Sequence, residues 1–284
     1  MEDQLRQILS QSLSPDATTR QNAERALLSS QSTTPGHALA ILRVVSTSSN
    51  TPTDGAVRQA AAVHFKNMIK KGWAPNEEDD KPNFTIPDSD RTLIKDNLVT
   101  LMCTVPPQLQ LQCSESISLI ANHDFPSKWD NLLSNLIDKF NDGDLNVVNG
   151  VLVTANSILK RFRYVQRSDA LYSDILYVLQ RLQIPLTQLF TKLISELEQP
   201  QLANDILGLT NRLNALRSIN RIFYSLNYQD LPEYFEDNMN VWMNGFAKLL
   251  EYKNSVLVDD DEEMQPGKFR VLVCFVLRDC VLWG

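Results

Sequence analysis

The sequence predicts an all-α fold, a solenoid of stacked helix pairs of the HEAT type. Three observations carry that expectation. Amphipathic stretches come in pairs that recur roughly every 40 residues, the period of such repeats. No stretch alternates apolar and polar residues between turn signals, as a half-buried strand would. Glycine is scarce, 9 of 284 residues, which suits helices on short turns better than a glycine-punctuated sheet. One helix pair cannot bury its own apolar face, whereas stacked pairs can, and they offer a long concave surface for binding other proteins.

The elements follow in order. The first helix is expected over about Glu2–Leu13, with Leu5, Ile8, Leu9 and Leu13 on one face. Ser14 and Pro15 end it and start a second helix reaching about Ser32, with Ala23, Ala26, Leu27 and Leu28 inward. Pro35 opens a third, and a fourth spans about Gly55–Trp73, carrying Val57, Ala61, Phe65, Met68 and Ile69. Ala74–Pro87 reads as an exposed insertion, and Asp88–Thr104 and Pro107–Asn122 form the next pair. Asp124-Phe125-Pro126 turns the chain into a pair at about Trp129–Phe140 and Leu145–Phe162. The segment Asp169–Leu197 is periodic throughout, but Pro185 inside it predicts a kink or break. Helices over about Leu202–Leu226 and Leu231–Leu250 complete the array.

Composition narrows the function classes. Hydrophobic residues make up 43% of the chain and the net charge is −7. A sizeable core is possible, and a general nucleic-acid binder, which would carry a basic surplus, is not expected. The four cysteines have no C-x-x-C spacing and the N-terminus lacks a signal-peptide pattern, so a reduced intracellular compartment is expected. The longest apolar run, Val271–Leu277, is far shorter than the ~20 residues of a membrane span. His37, His64 and His123 are scattered, and no zinc-protease, serine-hydrolase or phosphate-loop motif is present. Neither enzyme, cofactor nor metal site is expected.

Several charged and aromatic residues stand out. Lys66, Asn67, Lys70 and Lys71 share one side of the fourth helix, because positions three and four apart are neighbours there. By themselves they describe a solvated face. Trp73 and Trp129 are expected to pack between repeats, and Asp124 to cap the helix after it. Lys160, Arg161, Arg163 and Arg167 cluster at a helix end, where cations complement the macrodipole and a local structural role is expected. Asp259–Glu263, five consecutive acids, reads as a solvated loop. Cys103 and Cys113 are expected to pack as small apolar residues.

Three of these stretches resemble a known family. Phe65-Lys66-Asn67-Met68-Ile69-Lys70-Lys71-Gly72-Trp73 and Asp124-Phe125-Pro126-Ser127-Lys128-Trp129 resemble the N-terminal motifs of the importin-β superfamily. The run Phe223–Met243 resembles the CAS-type exportins, the carriers that return importin-α from nucleus to cytoplasm. The resemblance implies a HEAT solenoid that binds Ran in its GTP form together with importin-α, with nucleoporins as further partners and a shuttling life between nucleus and cytoplasm. It implies that Lys66, Asn67, Lys70 and Lys71 meet Ran. Residues 1–263 are expected to form the repeat array, with an importin-β N-terminal domain over about 1–105. Residues 264–284 are expected to form a divergent tail that covers the apolar face of Leu231–Leu250 poorly and favours self-association. Family members are several-fold longer, so most of their arch is absent. Two other readings compete: an importin-β-type carrier with an import cargo, and a HEAT scaffold indifferent to Ran.

Overall fold

The structure, a computed structural model, describes residues 2–48, 51–74 and 84–252. The core of the expected insertion (75–83), the acidic run Asp259–Glu263, the tail 264–284 and Cys274 and Cys280 lie outside the described residues. Every described element is helical: α1 (Glu2–Ser12), α2 (Ala17–Thr33), α3 (His37–Ser46), α4 (Asp54–Gly72), α5 (Asp88–Thr104), α6 (Pro107–Asp124), α7 (Leu132–Ile137), α8 (Leu145–Leu159), α9 (Asp169–Leu197), α10 (Ile206–Asn227), α11 (Glu233–Asp237) and α12 (Met239–Glu251). Two 3-10 turns, η1 (Lys160–Arg163) and η2 (Pro200–Leu202), follow α8 and precede α10.

The chain forms two compact units, Met1–Leu132 and Leu133–Gly284. In the first, α1 packs on α2, α3 on α4 and α5 on α6; across pairs, α1 meets α3, α3 meets α5, and α4 meets α6. The period-3.6 stripes supply the contacts: Leu5 and Leu9 from α1, Ile41 and Val45 from α3, Phe65 and Ile69 from α4, Ile94 and Leu98 from α5, and Ile117 and Ile120 from α6 are all buried.

In the second unit α8 packs along α10, α9 on α10, and α12 on α9. Its centre is aromatic. Phe190 stacks on Trp242 with ring centroids 4.4 Å apart, Phe223 lies 4.3 Å from Trp242, and Phe235 and Phe246 close the cluster at 5.0 and 5.5 Å from Phe223. Offset and edge-on aromatic pairs contribute about 0.5–1.5 kcal/mol each beyond area burial. Gly245 makes the approach possible, because a Cβ there would meet Phe190 Cε1 at 2.3 Å.

The structure departs from the sequence expectations in particular places. Asp16, rather than Ser14, caps α2, its carboxylate accepting the Thr19 amide at 2.7 Å. Ala26 and Leu28 face solvent instead of the core. Asp124 caps no following helix; it ends α6 and accepts from Lys95 Nζ at 3.1 Å. The helix expected from Trp129 shrinks to α7, and the one expected over Leu231–Leu250 divides at Asn238 into α11 and α12. Pro185 breaks nothing: α9 runs through it for 29 residues. Proline in a helix interior costs about 3 kcal/mol. Burial of Leu182, Leu186, Leu189 and Phe190 on either side of it outweighs that cost.

Gly245→Ala should destabilise the protein by about 1–3 kcal/mol, as overpacking of a close-packed core does. The aromatic ring it strikes is itself wedged against Trp242. The measurement is the urea midpoint; Ala247→Gly, an exposed change on the same helix, separates the steric effect from helix propensity.

Candidate functional site

The candidate site lies on α4, whose position is held at both ends. At its start Asp54, 7% exposed, accepts from Arg6 Nη1 at 3.2 Å and from Ser48 Oγ at 3.1 Å, and lies 3.9 Å from Arg58 Nη1. Arg6 also donates to the Thr47 carbonyl, and Arg58 Nε to the Val45 carbonyl at 2.9 Å. α1 and α3 are thereby tied to the first turn of α4. At its other end Trp73 is buried, with the Arg91 guanidinium 5.2 Å from its ring.

Between these anchors the helix divides by face. Phe65, Ile69 and Trp73, four residues apart, point into the core at 1%, 1% and 2% exposure. Asn67, Lys70 and Lys71 are exposed and Lys66 is half-buried. The four residues picked from the sequence therefore do share the outer side of α4. They are not equivalent. Lys66 Nζ donates to Glu115 Oε2 on α6 at 2.7 Å. Lys70 and Lys71 make no salt bridge to a described residue and stand in the last turn, where cations complement the helix dipole. Among the described residues, the strip is thus two lysines without a counter-charge beside a lysine that has one. Glu115 was missed by sequence reasoning; it is 49 residues away and no local signal links it to Lys66.

The same helix contributes to a histidine pair, with His37 buried and His64 half-buried. His64 on α4 and His37 at the start of α3 meet edge to face, with ring centroids 5.8 Å apart. Burial, then the neighbouring His37, then the charge of Lys71 lower the His64 pKa to about 4, and burial lowers that of His37 as well. Both rings are neutral near pH 7, so neither adds charge to the strip. On α6, burial pushes the Cys113 thiol up to about 12, and it packs as a small apolar side chain.

The basic group at the end of α8 splits in the same way. Arg161 pairs with Asp174 at 3.2 Å. Arg167 Nε and Nη2 donate to the side chain and carbonyl of Gln229 at 3.2 and 2.6 Å. Those two hold local structure, as expected; among the described residues Arg163 has neither kind of partner. Trp73 and Trp129 are packing residues. Among the described residues no group of His, Cys, Asp and Glu could hold a metal ion, and no helix is long and apolar enough to cross a membrane.

Comparison with known proteins bears on the fold and the family. The Cse1 family model matches residues 158–277, and the importin-β N-terminal domain model matches residues 23–104. The first match runs into the stretch set apart from the sequence as a tail. Exportin-2 of Pagrus major is 44% identical over 280 residues, and that of Homo sapiens 42%, in each case over 99% of this chain and 28% of the relative. The chain spans about a quarter of the length of these curated relatives. Among solved structures, the exportin Cse1 in its cargo-free, cytoplasmic state superposes with a TM-score of 0.84 at 32% identity, over 98% of this chain and 29% of that one. Importin β superposes with a TM-score of 0.63 at 16% identity over 96% of this chain and 28% of that one, a likeness of fold. The fold is the HEAT-repeat α-solenoid of these carriers.

The histidine pair has a measurable consequence. His64 resists protonation down to about pH 4 in the folded state, whereas an unfolded histidine takes up its proton near 6.5. The stability it contributes is complete above 6.5 and is lost as pH falls from there through about 4. The loss is of order 3 kcal/mol. Urea unfolding across that window should show His64→Gln with a flatter pH dependence than the parent.

Proposed function

We propose, on the premise that this chain belongs to the CAS-type exportin family of the importin-β superfamily, that it acts as a nuclear transport receptor whose first helix pairs contact Ran–GTP. Importin-α is the cargo whose export this reading implies, with nucleus and cytoplasm as the places of residence. The role is binding rather than catalysis. Directional transport draws its free energy from the GTPase, whose two nucleotide states differ in affinity for the carrier. Ran–GTP and importin-α then favour each other's binding through a shared carrier conformation.

The observation that carries the reading is the division of α4. Its inner residues are committed to the core, and its outer side presents Lys70 and Lys71 without a described counter-charge. Cations of this kind set orientation and association rate with an acidic partner surface more than final affinity. Asn67 adds an exposed amide between them. Lys66 stands at the edge of the contact, shared with Glu115.

Binding should depend on nucleotide state, with Ran–GTP preferred over Ran–GDP; a HEAT scaffold indifferent to Ran would bind both alike. Lys70→Glu/Lys71→Glu should slow association with Ran–GTP by about tenfold at low salt while leaving helicity intact. Adding Lys66→Glu should also cost stability, because it sets a carboxylate against Glu115. Surface plasmon resonance gives the rates and circular dichroism the fold. Unchanged association in the double variant would take these lysines out of the site. An import carrier would be recognised by failure to capture importin-α in the presence of Ran–GTP.

A further inference from the structure

We propose that the surface formed by Arg163, Arg217 and Arg221 in the second unit docks a carboxylate-rich segment of a partner protein. The proposal is independent of the Ran reading, which concerns α4 in the first unit.

The cluster is assembled by packing. Arg217 and Arg221 are one turn apart on α10, and Tyr224 continues the same face. η1 packs against α10 and delivers Arg163, whose guanidinium lies 5.3 Å from the Tyr224 ring and 5.9 Å from that of Tyr164. All three arginines are half-buried, and Tyr164 beside them is 79% exposed.

What sets the cluster apart is the missing counter-charge. The arginines around it are spoken for: Arg161 by Asp174, Arg167 by Gln229 and Arg212 by Glu196. No described carboxylate lies within salt-bridge distance of Arg163, Arg217 or Arg221, and Arg163 Nε is buried without a protein acceptor. Burial, then Arg217 and Arg163, pull the Arg221 guanidinium below its ordinary range. Like charges held together and partly out of water raise the energy of the free chain. An anion between them relieves that repulsion and offers acceptors to the guanidinium forks.

The chemistry selects the occupant. Guanidinium forks match carboxylates in bidentate geometry, and the rings of Tyr164 and Tyr224 give flat surface for the carbon side chains that separate acids in a peptide. Arginine and tyrosine together are the usual anchors of protein interfaces. A long nucleic acid fits less well, because the chain carries a net charge of −7, which repels a polyanion beyond the patch itself.

The test is fluorescence anisotropy with the full chain and a labelled short Asp/Glu-rich peptide, at about 0.1 M salt where long-range charge effects are damped. The parent should bind saturably, and Arg217→Glu/Arg221→Glu should weaken binding by at least about tenfold. Arg217→Gln/Arg221→Gln, which removes charge without reversing it, should fall between the two while keeping the parent's helicity and melting behaviour. A folded Gln variant that binds as tightly as the parent overturns the proposal, as does a parent that does not bind. Equal or tighter binding of a single-stranded oligonucleotide of matched charge overturns the choice of a carboxylate partner. Replacing Asp259–Glu263 by amides asks whether this chain's own acids fill the site; stronger peptide binding by that variant would overturn the assignment to a separate partner.

Discussion

Each helix pair here has more apolar surface than its own two members can hide, and the architecture follows from that shortage. In the first unit α4 offers Phe65, Met68 and Ile69 inward while α6 offers Ile117 and Ile120, and the two second helices lie against each other. In the second unit α8 and α10 do the same. Burying a side chain of this size is worth about 1.5–3 kcal/mol, far more than any surface ion pair near it. Apolar packing therefore decides how each helix is rotated, and that rotation decides which polar residues reach water. The lysines of α4 and the arginines of α10 were not placed individually; they occupy what is left when the core has been satisfied.

This explains which parts of the protein could be read from sequence. Helix existence was legible almost throughout, since a period of 3.6 is a direct record of one-sided burial; α5 came out as Asp88–Thr104 on both counts. The failures are equally physical. At α2 a serine and an aspartate both had the chemistry to cap, and local geometry chose Asp16. At Pro185 a local rule met a stronger tertiary one. The side of α4 that carries the candidate site was visible because it is a property of one helix. Glu115 beside Lys66, and the meeting of Arg163 with Arg217 and Arg221, depend on separate helices finding each other, and no spacing in the chain records that.

The motif from Phe65 to Trp73 mixes two kinds of information. Phe65, Ile69, Gly72 and Trp73 are architectural: they are buried, and Gly72 leaves room for Phe84, whose ring would stand 2.5 Å from a Cβ. Asn67, Lys70 and Lys71 are exposed and outside that packing, while Lys66 is half-buried and bridges to Glu115 on α6. The Asp124–Trp129 motif is almost wholly architectural, with Phe125 and Trp129 buried and Asp124 taken by Lys95. Sharing these sequences with the importin-β superfamily is therefore strong evidence of a shared fold and much weaker evidence of a shared contact surface.

The pairing of Lys66 with Glu115 makes the edge of the strip a place of exchange rather than of gain. A carboxylate arriving from outside meets a Lys66 already held at 2.7 Å, and it must either share the remaining N–H donors beside Glu115, against acid–acid repulsion, or displace Glu115. Lys70 and Lys71 have no such carboxylate to displace among the described residues. Two neighbouring lysines with the same charge thus answer a partner differently. One answers as a charge already part-neutralised by its neighbour, and so depends less on dissolved salt. The others answer as bare charges do, strongly in dilute buffer and weakly in concentrated.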